Sequence, residues 1–126
     1  MTQEEKDLLL KDLCSRLIYG VKVKIIGYEK AFALDCYEED DDYKDGYKFD
    51  AHLSGARKYG LTLDDFKPYL RPMTDMDENE EWKYNYLKTE HTNWEAQDYL
   101  NSIHIDYRGL IKKGLALEAP KGMYNN

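Results

Sequence analysis

The chain has 126 residues, 42% hydrophobic and 34% charged, a balance that suits one globular domain and not a disordered chain. Its formal charge of −7 repels phosphate, so nucleic acid held by charge neutralisation is disfavoured as a partner. Apolar stretches of only a few residues, and an acidic start in place of a basic-then-apolar leader, predict no membrane association and a cytoplasmic protein.

Thr2 followed by Glu5 has the spacing of a capping box, in which each side chain satisfies a free backbone N–H at a helix start. The predicted helix runs from about residue 3 to about residue 17. Its apolar stripe is Leu9, Leu10, Leu13, Cys14 and Leu17, with Glu4, Lys11, Asp12 and Arg16 on other faces, and Gly20 ends it. The period then changes to two. Val21, Val23 and Ile25 alternate with Lys22 and Lys24 as a half-buried strand. A turn at 27–30 leads to a second, antiparallel strand in which Phe32, Leu34 and Cys36 share one face. Cys14 and Cys36 therefore read as small buried hydrophobes with free thiols, and a nucleophile is the lesser reading of either.

Residues 38–42, Glu-Glu-Asp-Asp-Asp, form an unbroken acidic run whose mutual repulsion predicts a solvated loop as far as Gly46. Tyr47, Phe49 and Ala51 offer a third strand, and residues 54–60 read as a loop or short helical turn. Residues 61–73 combine a short helix near Leu63–Phe66 with an extended stretch, because each proline pushes its predecessor out of the helical region, and a fourth strand falls near Tyr69–Arg71. Asp77 with Glu80 opens a second helix, about 78–89, with Trp82 and Tyr86, and Leu87 as a third candidate, facing inward. Thr92 with Glu95 opens a third, about 93–104, burying Ala96, Leu100 and Ile103. Residues 106–120 read as a short helix plus a strand or as an ordered extension, and 121–126 as a frayed tail. The predicted architecture is a single α+β domain over 1–126: an N-terminal helix, a small antiparallel sheet of three to five strands with barrel-like closure as one form, and two or three C-terminal helices.

The acidic run can be tested against the calcium-loop pattern. With Gly46 as the sharp-turn glycine, Asp41 and Asp45 take the first and fifth positions, but Tyr43 and His52 stand where an oxygen ligand and the bidentate Glu belong. Anchoring on Asp40 puts Asp45 where glycine is needed. A regular calcium loop is rejected, leaving Asp40, Asp41, Asp42 and Asp45 as candidates for weak cation binding only.

His52, His91 and His104 lack the spacing that places two metal ligands on one helical face, so no metal site is expected. Ser54 lacks the preceding glycine of a nucleophile elbow. The nearest thing to an oriented base is His104 with Asp106, which with Tyr107 and Arg108 forms the one candidate catalytic cluster. Neither a P-loop nor a dinucleotide fingerprint occurs, and no cofactor is expected.

The basic pairs Arg57-Lys58 and Lys112-Lys113, among twelve tyrosines, resemble a stacking surface for single strands, but such a groove needs a continuous positive track. Tyrosine and tryptophan on an acidic surface suit a protein-binding face, or a core whose rings keep their hydroxyls wet. An acidic mimic of nucleic acid is a lesser reading, because the acids cluster at 38–42 and 75–81 instead of spreading over a face.

Two stretches, MTQEEKDLLLKDLCSRLIYGVKVKI and NSIHIDYRGLIKKGLALEAPKGMYN, with PYLRPM between them, resemble a group of small uncharacterised proteins of gut Bacteroidetes and their phages or mobile elements. The likeness covers both ends and is poor over about 27–66. That group often carries a second histidine where this chain has Ile103, so paired histidines are not a shared site. The resemblance implies a cytosolic bacterial or phage context and no established activity. The expected function is a non-enzymatic protein-interaction or accessory module with another protein as partner. The alternative is a small enzyme or ligand-binding protein built on His104, Asp106, Tyr107 and Arg108. An enzyme needs those groups to converge in a concave pocket, whereas an interaction module leaves an aromatic or apolar patch exposed.

Overall fold

The protein is described by a computed structural model covering residues 1–39 and 47–124. The chain forms two compact units, Met1–Tyr69 and Leu70–Asn126.

In the first unit, helix α1 (Gln3–Arg16) begins at the expected capping box: the Thr2 hydroxyl accepts from the Glu5 N–H, and the Glu5 carboxylate accepts from the Thr2 N–H. After one tighter turn, Gly20 at φ +70 ends the helical run in the left-handed region that glycine enters without a Cβ penalty. Leu9 and Leu13 are buried, as their spacing predicts, but so are Asp12 and Arg16, which the same spacing places on a polar face. The two sit one turn apart, and the Arg16 guanidinium donates to both Asp12 carboxylate oxygens at 2.8 and 3.0 Å. Mutual neutralisation is what lets both charges leave water.

Strands β1 (Lys22–Ile25), β2 (Phe32–Glu39), β3 (Tyr47–Leu53) and β4 (Ala56–Leu61) follow, and β5 (Phe66–Pro72) pairs through its first residues with β1. The strand order β4-β3-β2-β1-β5 is antiparallel throughout. Alternation holds in β1, where Val23 and Ile25 are buried between half-buried lysines. It fails in β2. A register shift between Leu34 and Cys36 inserts an extra residue, which reverses the side-chain parity, so Cys36 is exposed and not buried beside Leu34.

Residues 56–61 are a strand, not the loop or helical turn their composition suggests. Ser54 and Gly55, at φ +24 and +83, make a two-residue reversal that brings Ala56 opposite Leu53. The burial of β4 does not alternate, so no periodic signal reveals it. Its Arg57 and Lys58 are suited to an end strand of the order, where charge discourages further pairing. No helix forms near Leu63–Phe66. Instead, the Asp65 carboxylate accepts from the Thr62 N–H and hydroxyl, closing a turn before β5.

In the second unit the last residues of β5 continue into α2 (Glu78–Glu90), α3 (Asn93–Ser102), β6 (Ile105–Asp106) and β7 (Leu117–Glu118). Strand β6 lies parallel to β5, with Arg71 opposite Ile105 and Pro72 opposite Asp106. Parallel neighbours need a long crossover, and α2 with α3 supplies it. Strand β7 also pairs with β5, and the Ala119 N–H donates to the Leu70 carbonyl at 2.8 Å. Leu70, Ala96, Leu100, Ile105 and Leu110 are buried. Residues 107–116 form turns and no helix. Among the described residues the protein is therefore α+β, with an open, mixed sheet of seven strands: larger than three to five, not wholly antiparallel and not closed into a barrel. Two later helices, α2 and α3, lie between β5 and β6 among the described residues, the lower of the two expected numbers.

Candidate functional site

The second unit carries an arginine hub at the start of α2. Asp77 caps the helix through the predicted box with Glu80. Glu80 then receives Arg71 in a two-pronged pair, Nη2 to Oε1 at 2.7 Å and Nη1 to Oε2 at 2.9 Å. The Arg71 Nε–H donates to the Asp75 carboxylate, and further N–H groups donate to the Asp75 and Ile103 carbonyls. A guanidinium has five N–H donors, and these five bonds occupy all of them. Glu80, the nearest partner, and Asp75 hold Arg71 above its ordinary pKa, and the Arg71 guanidinium holds the Glu80 carboxyl below its usual value.

Arg71, Asp75, Asp77 and Glu80 line a cleft of about 470 Å³ together with Glu118 and Lys121. With its arginine saturated, this cleft keeps no guanidinium donor for an anionic ligand. Its geometry serves to lock α2 to the end of β5.

That lock decides which way α2 faces. Glu80, Tyr84 and Leu87 are half-buried at helical spacing, so Trp82 and Tyr86 turn outward, opposite to the inward placement that aromatic character predicts. Trp82 remains 67% exposed although its ring stacks on Tyr86, at 5.3 Å between centroids and 7° between planes. Tyr86 in turn meets the His91 ring at 5.4 Å, and His91 Nδ1 lies 3.1 Å from Glu95. Trp94, in the first turn of α3, is 72% exposed. Helix α2 buries no residue fully, in contrast with the Leu100 side of α3.

The candidate catalytic cluster is built into the turns that follow α3. His104 is buried at φ +64, its carbonyl accepts from the Arg71 N–H, and its ring stacks on Tyr124 at 3.7 Å. Asp106 accepts the Leu110 N–H on one oxygen and the Ile111 N–H on the other, both at 2.9 Å. Tyr107 and Arg108 meet as a cation–π pair at 4.7 Å. These four residues are neighbours in sequence, and their contacts hold the backbone and each other in place. His104 seats β6, Asp106 closes the 107–111 turn, and Arg108 covers the Tyr107 ring.

In the first unit the structure assembles a trio that sequence spacing does not reveal. His52 Nδ1 lies 2.7 Å from one Asp35 oxygen and Arg57 Nη2 donates to the other at 2.6 Å, from three adjacent strands. His52 and Arg57 are register partners, so the signal exists only once the β3–β4 pairing is known. A carboxylate on Nδ1 orients an imidazole for base chemistry, but His52 and Arg57 are each 48% exposed, and in open solvent the trio serves as a cross-strand tie. Desolvation, then the Asp50 carboxylate, pushes the Cys36 thiol up, and burial pushes the Cys14 thiol up; neither is an activated nucleophile.

Asp40, Asp41, Asp42 and Asp45 lie outside the described residues. Among the described residues no helix is long and apolar enough to cross a membrane, and no group of three or more His, Cys, Asp or Glu side chains is placed to hold a metal ion. Comparison of the chain with protein-family models, with curated proteins and with solved structures finds no match.

Proposed function

We propose that this chain is a non-enzymatic protein-interaction module whose contact surface is the outer face of α2 with the start of α3. The observation that carries this reading is the exposure of Trp82 and Trp94, at 67% and 72%. Large rings left in water are the usual anchors of protein contacts, because they bury much area while ordering few torsions. The saturated Arg71 and the backbone-capping role of Asp106 argue in the same direction, by giving the polar clusters structural roles.

The test compares capture from the native host's lysate by the wild-type chain and by a Trp82→Ala/Tyr86→Ala variant of unchanged circular dichroism. A partner retained by the first and lost by the second is the expected result. Equal capture by both chains removes this surface as the interface.

A further inference from the structure

Resting on that reading, we infer that the partner presents a cationic polypeptide segment, whose Arg or Lys side chains lie over the α2 aromatic stripe and pair with the carboxylates at its ends.

Glu78, Trp82, Tyr86 and Glu90 follow one another at four-residue steps, and all four are exposed. That spacing sets them on one face of α2, an aromatic pair with an acid at either end, over about 18 Å of helix. The His91–Glu95 contact continues the line from Tyr86 to a third carboxylate on α3.

Residues 77–98 hold seven acids against two lysines, whereas the whole chain is only −7. Both lysines are turned to other rings: Lys83 sits 4.9 Å from the centre of Tyr99 and Lys88 lies 5.8 Å from Tyr84. Elsewhere Lys58 covers Tyr28 and Arg57 approaches Tyr59. The fold thus uses cation–π contacts repeatedly, yet among the described residues no cation sits over Trp82 or Trp94, and indole is the strongest acceptor of such contacts. A partner's Arg or Lys meets there a ring that holds no cation and is largely exposed and, one helical turn away, a carboxylate.

An apolar partner is a poorer fit, because Glu78 and Glu90 would be desolvated without a counter-charge. Nucleic acid and anionic lipid meet the same acids as repulsion.

The experiment uses the full chain and two probes: a helical peptide with arginines at four-residue steps in an Ala/Gln host, and the same peptide with Gln at each Arg position. The chain's two tryptophans both lie on the proposed surface, so their emission reads occupancy directly. The expected result is a saturable emission change with the Arg peptide and binding weaker by about tenfold or more with the Gln peptide. Affinity for the Arg peptide should fall as salt rises, since screening shortens from about 10 Å at 0.1 M to about 3 Å at 1 M. Anisotropy of labelled peptide should show loss of binding for Trp82→Ala and for Glu78→Lys/Glu90→Lys, each checked for unchanged circular dichroism.

Equal binding of the Gln peptide, salt-independent binding, or full binding by the Glu78→Lys/Glu90→Lys chain would overturn the cationic partner. Sedimentation showing a dimer that Trp82→Ala dissociates would overturn it in favour of a second copy. If the Arg peptide fails while Trp82-dependent capture from lysate persists, the partner chemistry is wrong and the interaction module stands. If both fail, both readings fall.

Discussion

Helices α1 and α2 open with the same capping device and then treat polarity in opposite ways. In α1 an Asp and an Arg are withdrawn completely from water, Asp12 and Arg16 each at 0%. In α2 a Trp and a Tyr are left in water and no residue is fully buried. Buried charge is tolerable only where geometry supplies a partner, so the Asp12–Arg16 pair marks a place where the fold dictates the residues. Exposed aromatic surface contributes little to the fold that displays it, so the α2 stripe marks a place where something else dictates them.

The contrast can be broken most forcefully at its buried end. Asp12→Ala should destabilise the first unit by about 3–5 kcal/mol, because it removes the carboxylate that neutralises the Arg16 guanidinium in the core. The double change Asp12→Leu/Arg16→Met removes both charges together and should recover most of that loss. Denaturant unfolding of the three chains checks it, and additive losses would show that the pair is not a coupled unit.

The middle of the range belongs to the hub that orients α2. Glu80→Gln keeps the capping spacing but removes the charge facing Arg71, at a cost of about 1–3 kcal/mol at pH 7. Because Arg71 depresses the folded-state pKa of Glu80, its contribution is present above the unfolded value, ~4.3, and is lost as pH falls through the lower folded value. The stability gap between wild type and Glu80→Gln should therefore be full at neutral pH and close progressively below about pH 4.3. A gap that widens in acid would contradict the assignment.

At the small end, Trp82→Ala and Tyr86→Ala should each change stability by no more than about 0.5 kcal/mol, the size of one exposed helical pair. A loss several times larger, seen by thermal unfolding, would mean that the stripe is part of the fold and would dissolve the contrast with α1.

Local signals were legible where a local cause suffices. The Thr2–Glu5 and Asp77–Glu80 boxes place two helix starts, and period-two burial of Val21, Val23 and Ile25 places β1, because caps and alternation act within a few residues. Legibility ends where parity or partner is decided at a distance. The register shift after Leu34 exposes Cys36, and a Ser54–Gly55 reversal makes a strand of residues without apolar alternation. For the site, the rings themselves are visible as a protein-binding composition, but their direction is not, since aromatic character alone points Trp82 inward and the structure turns it outward. Nor could spacing show that Asp35, His52 and Arg57 meet, or that Arg71 commits every donor.

By itself, then, the sequence determined the acidic charge balance, the helix starts and the alternation of β1, all of which follow from neighbours a turn or a residue apart. The tertiary structure alone decided which face of α2 meets water. A hydrophobic stripe too weak to choose a side of α2 leaves that choice to Arg71, whose bonds to Glu80, Asp75 and Ile103 turn Trp82 and Tyr86 outward. In α1 the reciprocal choice is made by Leu9 and Leu13, whose burial carries Asp12 and Arg16 inward as a neutralised pair.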